Sequence, residues 1–270
     1  MDNTQIPKIS VIMSVLNGES YMSKGIDSII AQTFTDWEFI ICDDGSTDKT
    51  WNILQEYALK DNRIKVLKND HNRGLAYSLN KCIEQSKSNI LARQDADDES
   101  VPNRFEVQYP FVIKHPEYAI VGTSWYNLDS DGSRWITYPK SNPNIKDLLW
   151  DGGFMHPSWM MRKNQLEKVG YYTTGEYTRR DQDYHLVLKI YGAGMQMFNM
   201  QDLLYTYTND SGTFARTKNW KRVKGLMWIR YDGYKRNRVP FWDYIFVLKP
   251  FLKNILPTAI TKKYYLRNKK

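Results

Sequence analysis

Short apolar runs alternate with amphipathic stretches along the first 115 residues of the chain. The apolar runs predict buried strands at Ile9–Val15, Trp37–Cys42, Ile64–Leu67 and Ile90–Arg93. The stretches that follow them predict helices at residues 21–30, Thr47–Leu59, Leu75–Ser86 and Asn103–His115. Four strand–helix units in succession favour a parallel sheet covered by helices. The sequence therefore predicts an α/β fold whose ligands bind outside the carboxyl ends of the strands.

After residue 118 the pattern is less regular. Ile120–Leu128 and Trp135–Tyr138 predict a hairpin, because turn-forming residues stand between them at 129–132. Beyond the hairpin, a helix is predicted at Ile145–Trp150, a strand at Ser158–Met161 and a helix at Asp183–Tyr191. From Trp220 onward, basic and aromatic residues interleave in predicted helices that are broken at Pro240, Pro250 and Pro257.

Positive charge is concentrated at the carboxyl end of the chain. The net charge is +8, but residues 221–270 hold 14 Lys or Arg and two Asp or Glu, which leaves 24 basic and 28 acidic residues elsewhere. Basic amphipathic helices bind anionic membrane surfaces, so we expect peripheral attachment to the inner face of the cell membrane. The alternative is that these helices pack on the rest of the protein. No motif for nucleic-acid binding accompanies them, and we expect no nucleic-acid partner.

Two features indicate a cytoplasmic protein. Cys42 and Cys82 lie in apolar contexts without a CxxC spacing, which favours reduced core residues. Residues 1–9 lack the pattern of a signal peptide, and no apolar run reaches 18 residues. We therefore expect a protein that is neither exported nor membrane-spanning.

Carboxylates are concentrated after the fourth predicted strand, from Asp95 to Asp98. In an extended chain Asp95 and Asp97 project to one side, an arrangement that needs a cation or hydrogen-bond donors to compensate it. Oxygen ligands suit Mn²⁺ or Mg²⁺, which can bridge a diphosphate and offset the charge of a leaving nucleotide. The alternative is a solvated loop that caps the next helix. A D-x-D triplet alone is weak, since 129–131 and 181–183 are also D-x-D and the first of these fits a turn.

Two further segments follow predicted strands. A turn at Gly45 and capping by Ser46 or Thr47 explain most of residues 43–48, but they do not explain Asp43. A carboxylate at that position can accept hydrogen bonds from a base imide or a ribose hydroxyl. Arg73 precedes a helix led by glycine, where backbone donors and its own charge suit an anion. An ordinary helix start with an exposed arginine is the alternative for this segment.

These segments resemble family 2 glycosyltransferases with the GT-A fold. The similarity lies in the order and spacing of residues 9–17, 43–48, 72–75 and 95–98, and residues 92–108 are similar to members from capsule, exopolysaccharide and lipopolysaccharide loci. The resemblance implies a GT-A catalytic domain at 1–218, with a mostly parallel nucleotide-binding sheet flanked by helices. Within it, residues 1–118 would bind the nucleotide-sugar and 119–218 the acceptor. Residues 219–270 would form a basic, amphipathic helical tail.

The resemblance also implies a nucleotide-sugar site. Its residues would be Val15, Asn17, Glu19, Asp43, Arg73, Arg93, Asp95, Ala96 and Arg216. In this arrangement Val15 lines the base pocket, Asp43 binds the base and Arg73 lies near the nucleotide. Asp95 would contact the ribose, and Asp97 would hold Mn²⁺ or Mg²⁺. Arg216 belongs to a tract, 207–216, that resembles a mobile loop of the family, where it would serve the phosphates; an ordinary exposed loop is the alternative.

Inverting transfer needs a carboxylate that removes the proton of the acceptor hydroxyl. The resemblance assigns this role to Asp183, although Gln182 stands where the family usually has Glu. Asp181 is a rival, and helix capping is a further alternative for both. His156 and Asp181 are placed on the acceptor side; for His156 a packed structural role is the alternative.

The predicted function is transfer of a sugar with inversion from a nucleoside-diphosphate sugar, UDP-linked by preference, to a hydroxyl of a lipid-linked or growing surface glycan. A sugar-phosphate nucleotidyltransferase is one alternative, but it would carry a Gly-rich stretch near the first strand, where Ser14–Gly18 has a single glycine. An inactive sugar-nucleotide binder is another, and it should lack an intact set of Asp95, Asp97 and Asp183.

Overall fold

Nine strands form one mixed sheet in the computed structural model, which describes residues 6–151, 153–209 and 219–255 apart from the side chains of Trp150 and Asp151. The strands are β1 Ile9–Val15, β2 Trp37–Asp43, β3 Ile64–Lys68, β4 Ile90–Arg93, β5 Glu99–Ser100, β6 Tyr118–Asp129, β7 Arg134–Thr137, β8 Met160–Arg162 and β9 Gln196–Asn209. The helices are α1 Met22–Ile30, α2 Thr50–Lys60, α3 Leu75–Gln85, α4 Arg104–Lys114, α5 Ile145–Asp151, α6 Lys163–Lys168, α7 Gln182–Gly192, α8 Trp220–Arg236 and α9 Lys249–Ile255. Segments His156–Ser158 and Phe241–Leu248 form 3₁₀ helices.

The strands of the four predicted strand–helix units are parallel neighbours in the sheet. The strand order is β3-β2-β1-β4-β8-β6-β9-β5, with β7 paired to β6. β1 runs parallel to β2 and β4, and β2 runs parallel to β3. Val15 stands opposite Asp43, and Asp43 opposite Lys68, so the carboxyl ends of these strands meet at one edge. The predicted α/β fold with its parallel, helix-covered part is confirmed.

The second half of the sheet departs further from the sequence pattern. β6 and β7 form the predicted hairpin, with Tyr126 opposite Ile136. β5 and β9 are not predicted; β9 runs parallel to β6 and antiparallel to β5. The mobile loop that the resemblance implies at 207–216 does not begin at residue 207, because β9 continues to Asn209, which stands opposite Asp129. The predicted strand at 158 begins only at 160, since the Ser158 N–H donates to the Met155 carbonyl at 3.2 Å in a 3₁₀ turn.

Successive side chains of β1 enter different cores. Val11 and Met13 belong to one buried apolar cluster, and Ile12 belongs to another. This alternation shows that both faces of the sheet are covered. Cys42 and Cys82 lie in the cluster of Ile12 as free, buried thiols, which agrees with the prediction of reduced core residues.

The first helix of the tail packs on the body of the protein. α8 buries Val223, Ile229 and Tyr234. A Cβ added to Gly233 would lie 2.4 Å from Cδ1 of Leu188 on α7, so the two helices are in close contact. The alternative in which the basic helices pack on the body therefore holds for α8. Within the described ranges, none of the helices has the length and apolarity needed to cross a membrane.

Candidate active site

Asp43 closes the carboxyl end of β2 beside Val15, and both side chains are buried. The Ser46 N–H donates to Asp43 Oδ1 at 2.9 Å. Asp43 Oδ2 is buried and has no hydrogen-bond partner among the described residues. Because a buried carboxylate oxygen is costly to leave unpaired, this atom is suited to accept a hydrogen bond from a ligand.

Asn17 and Glu19 join the loop after β1 to the loop after β2. Asn17 has a positive φ of 50°, and its Oδ1 accepts the Thr47 N–H at 2.9 Å. Glu19 Oε2 accepts the Lys49 N–H at 3.1 Å. Both side chains shape the rim of the site through these contacts, and their predicted contact with the nucleotide stays a prediction.

Asp44 is a buried carboxylate that the sequence analysis did not assign. It accepts the backbone N–H groups of Arg73 and Gly74 at 2.9 and 2.8 Å. It also accepts hydrogen bonds from the Asn69 amide at 2.8 Å and the Ser78 hydroxyl at 2.9 Å. Asp44 thereby fixes the start of α3 and holds the exposed Arg73 at the edge of the site.

Asp95, Asp97 and Asp98 form a carboxylate cluster after β4. One oxygen of each lies within 4.8 Å of the others. Arg93 is fully buried and donates through Nη2 to Asp95 Oδ1. Burial raises the pKa of Asp98 well above its ordinary value, and the carboxylates of Asp95 and Asp97 add to the effect. Asp98 Oδ2 is buried without a partner in the part of the chain that the structure describes. Three carboxylate groups whose oxygens converge, together with the buried Asp98 Oδ2, fit a hard divalent cation such as Mg²⁺ or Mn²⁺.

Buried polar side chains hold the loop that carries this cluster. Gln94 Nε2 donates to the carbonyl oxygens of Asp95 and Asp98, both at 2.9 Å. Arg104 is fully buried and donates through Nη1 to the Arg93 carbonyl at 3.0 Å. Burial lowers the pKa of Arg104 to about 10, a value at which the guanidinium is still charged at neutral pH. Residues 92–108, which carry the resemblance to surface-glycan enzymes, thus include the scaffold of the cluster.

Two neighbours of the carboxylate cluster come from distant elements. On β9 the Tyr205 hydroxyl accepts the Asp95 N–H at 3.2 Å, and the Thr208 N–H donates to Asp98 Oδ1 at 2.8 Å. On α1, a Cβ at Gly25 would lie 2.8 Å from the carbonyl oxygen of the buried Ala96, so only glycine allows this approach. These contacts join residues that are far apart along the chain, so the local sequence pattern does not predict them.

The predicted base and its rival lie at the start of α7. Asp181 precedes the helix, and Arg222 of α8 donates to both of its carboxylate oxygens, at 3.0 and 2.7 Å. Asp183 is the second residue of the helix. Burial and the neighbouring Asp181 carboxylate raise the pKa of Asp183 to about 6, with a smaller contribution from Asp95. Asp181 is thus occupied by an ion pair, whereas Asp183 has a pKa suited to proton transfer near neutral pH.

His156 is a packed residue of the 3₁₀ helix before β8. Its Nε2 lies 2.7 Å from the Tyr172 hydroxyl, and its ring meets the edge of Trp159 at 4.7 Å between centroids. Burial lowers the pKa of His156 well below its ordinary value, and the charge of Arg93 acts in the same direction. The imidazole is therefore neutral, as in the packed alternative. Arg216 lies outside the described residues.

Comparison with known proteins identifies the fold and the family. A family model described as "Glycosyl transferase family 2" matches residues 10–170. The chain is 35% identical to the "Putative glycosyltransferase EpsE" of Bacillus subtilis, over 96% of this chain and 93% of that protein. It is 32% identical to the "O-antigen biosynthesis glycosyltransferase WbnJ" of Escherichia coli, over 74% of this chain and 78% of that protein.

Solved structures of glycosyltransferases share the fold of this chain. S. aureus TarS 1-349 in complex with UDP-GlcNAc superposes with a TM-score of 0.67 at 17% identity, covering 92% of this chain and 82% of that chain. The mannosyltransferase PcManGT from Pyrobaculum calidifontis, in complex with GDP-Man and Mn²⁺, superposes with a TM-score of 0.63 at 17% identity, covering 98% of this chain and 81% of that chain. The chain spans 43% of a longer TarS chain.

The fold is therefore the GT-A fold, in which a curled α/β sheet carries acidic residues at its carboxyl edge. The chain belongs to glycosyl transferase family 2 and is a glycosyltransferase. This membership decides against the alternative of a sugar-phosphate nucleotidyltransferase.

Proposed function

We propose that the protein transfers a sugar with inversion from a UDP-sugar to a hydroxyl of a lipid-linked or growing glycan, with Mn²⁺ or Mg²⁺ bound at the carboxylate cluster. The observation that carries the proposal is the cluster itself, where Asp95, Asp97 and Asp98 converge and Asp98 Oδ2 is buried without a partner in the described chain. Asp97, and with it Asp95 and Asp98, would hold the ion. The bound ion supplies positive charge that stabilises the leaving diphosphate.

The preference for UDP rests on Asp43. Its buried Oδ2 accepts no hydrogen bond from the described residues, and a uracil base offers an imide N–H that can donate to it. Val15 lies beside Asp43 and supplies apolar surface for the base. The complex of TarS with UDP-GlcNAc supports a uridine nucleotide in this fold, whereas the complex of PcManGT with GDP-Man makes GDP the competitor to test.

Asp183 is the proposed general base. The acceptor oxygen attacks the anomeric carbon from the face opposite the diphosphate, the bond from that carbon to the diphosphate breaks, and Asp183 takes the hydroxyl proton. A positioned base of this kind contributes about 10²- to 10⁴-fold to the rate. A pKa of about 6 leaves Asp183 largely ionised at neutral pH and still basic enough to accept a proton.

The tail offers a surface for the membrane that carries lipid-linked acceptors. We define the apolar segment as residues 241–255. Its exposed apolar side chains are Phe241, Trp242, Ile245, Leu248, Phe251, Leu252 and Ile255. Lys235 and Arg236 precede it and are also exposed, and residues 256–270 add five Lys or Arg by sequence. Exposed aromatic and aliphatic side chains next to cations suit the headgroup region of an anionic leaflet. We propose that this segment attaches the enzyme to the inner face of the cell membrane.

Calorimetric titration with UDP and GDP, with and without Mn²⁺, tests the proposed site for the nucleotide and the metal ion. We expect UDP to bind more tightly than GDP and to bind at least tenfold more tightly with Mn²⁺ than without it. Asp97→Asn should remove most of the Mn²⁺ effect, because it removes a charged ligand from the cluster. Asp131→Asn, in the hairpin turn between β6 and β7, is the matched control and should bind UDP like the wild type. Binding of UDP that is unchanged by Mn²⁺ would contradict the metal site.

A further inference from the structure

Arg222 connects the tail helix α8 to the residue that precedes α7. Its Nε donates to Asp181 Oδ2 at 3.0 Å, and its Nη2 donates to Oδ1 at 2.7 Å. Two parallel charge-assisted hydrogen bonds fix both the position and the orientation of a carboxylate. The side chains of Arg222 and Asp181 are only 30% and 17% exposed, so water screens this pair less than an ion pair on the open surface.

The backbone of Asp181 has an uncommon conformation. Its φ of 58° and ψ of 26° correspond to the left-handed conformation, which residues other than glycine adopt rarely. Its carboxylate makes no capping hydrogen bond to the N–H groups of α7. The Asp181 side chain is therefore held by Arg222 rather than by the helix that it precedes, and Asp183 lies two residues further on.

Other contacts join α8 to the same part of the chain. A Cβ at Gly225 would lie 2.5 Å from the carbonyl oxygen of Tyr177, so the backbone of residue 177 rests directly on the helix. The Tyr177 ring stacks on Trp228 at 5.7 Å between centroids. Further along α7, His185 Nε2 lies 2.9 Å from Asp232 Oδ2. α8 thus supports the chain both before and after Asp183.

We propose that Arg222 is a positioning residue for catalysis: by clamping Asp181 it fixes the first turn of α7, and with it the orientation of the Asp183 carboxylate toward the acceptor. Arg222 also compensates the negative charge of Asp181 close to Asp183. The proposal rests on the assignment of Asp183 as the base. It makes the first tail helix a part of the catalytic machinery, in addition to any contact of the tail with membrane.

Kinetics of Arg222→Gln, Arg222→Lys and the control Lys224→Gln test this role. Lys224 is an exposed cation on the same helix. Arg222→Gln should lower kcat at least tenfold. The KM for the nucleotide-sugar and the Mn²⁺-dependent affinity for UDP should stay within twofold, because the groups proposed to bind them are Asp43 at the end of β2 and the carboxylate cluster after β4. Arg222→Lys should fall between the wild type and Arg222→Gln, since it keeps the charge but loses the paired hydrogen bonds. Lys224→Gln should behave like the wild type.

A double-mutant comparison tests whether Arg222 acts through Asp181. The variant Asp181→Asn should lower kcat as Arg222→Gln does, and the two changes together should cost no more than the larger single effect, because both break one interaction. Additive losses would overturn the clamp. A wild-type kcat in Arg222→Gln would also overturn it, and so would a loss of UDP affinity in that variant as large as its loss of kcat. If Arg222→Gln does not fold, Arg222→Lys and Asp181→Asn give the same decision.

Hydrogen exchange supplies a readout that is independent of activity. Amides of residues 182–186 should exchange at least several-fold faster in Arg222→Gln than in the wild type, and Lys224→Gln should leave them unchanged. Unchanged exchange in Arg222→Gln would overturn the clamp. If Asp183→Asn keeps full turnover, the base assignment fails instead, and the exchange data still decide whether Arg222 holds the turn.

Discussion

Buried charges at the site differ in how they are compensated. The guanidinium of Arg93 is paired with Asp95, whereas Arg104 donates to the neutral oxygens of Arg93, Ser100 and Gln108. Burial and two neighbouring carboxylates raise the pKa of Asp98, so without a cation this acid is held toward its protonated form. A divalent ion at the cluster would reverse that shift, because it favours ionised ligands.

The pKa of Asp183 predicts an acid limb in the pH profile of kcat. Burial raises this pKa to about 6, so the base becomes protonated as the pH falls through that value. Only the ionised form accepts the acceptor proton, and kcat should fall about tenfold between about pH 7 and pH 5. The residual turnover of Asp183→Asn should show no such limb. A wild-type kcat that is flat over this range would contradict the assignment of Asp183.

Residues of the site that follow buried strands could be predicted from the sequence, and their supporting residues could not. Asp43 and Asp95 follow apolar runs, and their position relative to those strands identifies them as candidates. Asp44 and Gln94 stand beside them in the same segments, but their function depends on partners that the local pattern does not contain. Tyr205 lies on β9, and the pairing of that strand brings its hydroxyl into contact with the Asp95 N–H, although the two residues are 110 positions apart in the sequence.

The strands and helices of the parallel half of the sheet are predictable because each strand–helix unit has its own apolar pattern. β9 has no such simple pattern, since its register with β6 shifts between Tyr118 and Ile120 and twice more before Trp125. β5 has only two residues, too few for any periodicity. These two strands nevertheless place Tyr205 and Thr208 against the carboxylate cluster, so the second half of the sheet completes the site.

The apolar segment 241–255 predicts binding to anionic membranes. Sedimentation with phosphatidylcholine vesicles that contain about 30% phosphatidylglycerol should pellet the wild type, and the double variant Phe241→Ala, Trp242→Ala should bind at least fivefold more weakly, because it loses two exposed aromatic side chains. Leu59→Ala, which removes an equally exposed apolar side chain from α2, is the control and should bind like the wild type. Equal binding of all three proteins, or none by the wild type, would contradict attachment through this segment.

The molecule assembles its site from segments that lie far apart in the chain. β2 supplies Asp43, and the loop after β4 supplies the carboxylate cluster, which β9 supports. α7 carries the proposed base, and α8 holds Asp181, the residue that precedes α7. The sequence suggests a division between a catalytic domain at 1–218 and a tail at 219–270, and this division stays a prediction. The ion pair of Arg222 with Asp181 joins the two parts across 41 residues, a contact that charge patterning alone does not reveal.

The proposed inverting mechanism is tested by measuring transfer by the wild type and by Asp183→Asn and determining the anomeric configuration of the product by proton NMR. The assay supplies a panel of UDP-sugars, Mn²⁺ and a glycolipid extract as acceptor, and thermal melting checks that the variant is folded. We predict that the product has the anomeric configuration opposite to that of the donor and that Asp183→Asn lowers turnover by at least about 10²-fold. A product with the configuration of the donor, or a folded Asp183→Asn variant that turns over like the wild type, would contradict the proposed mechanism.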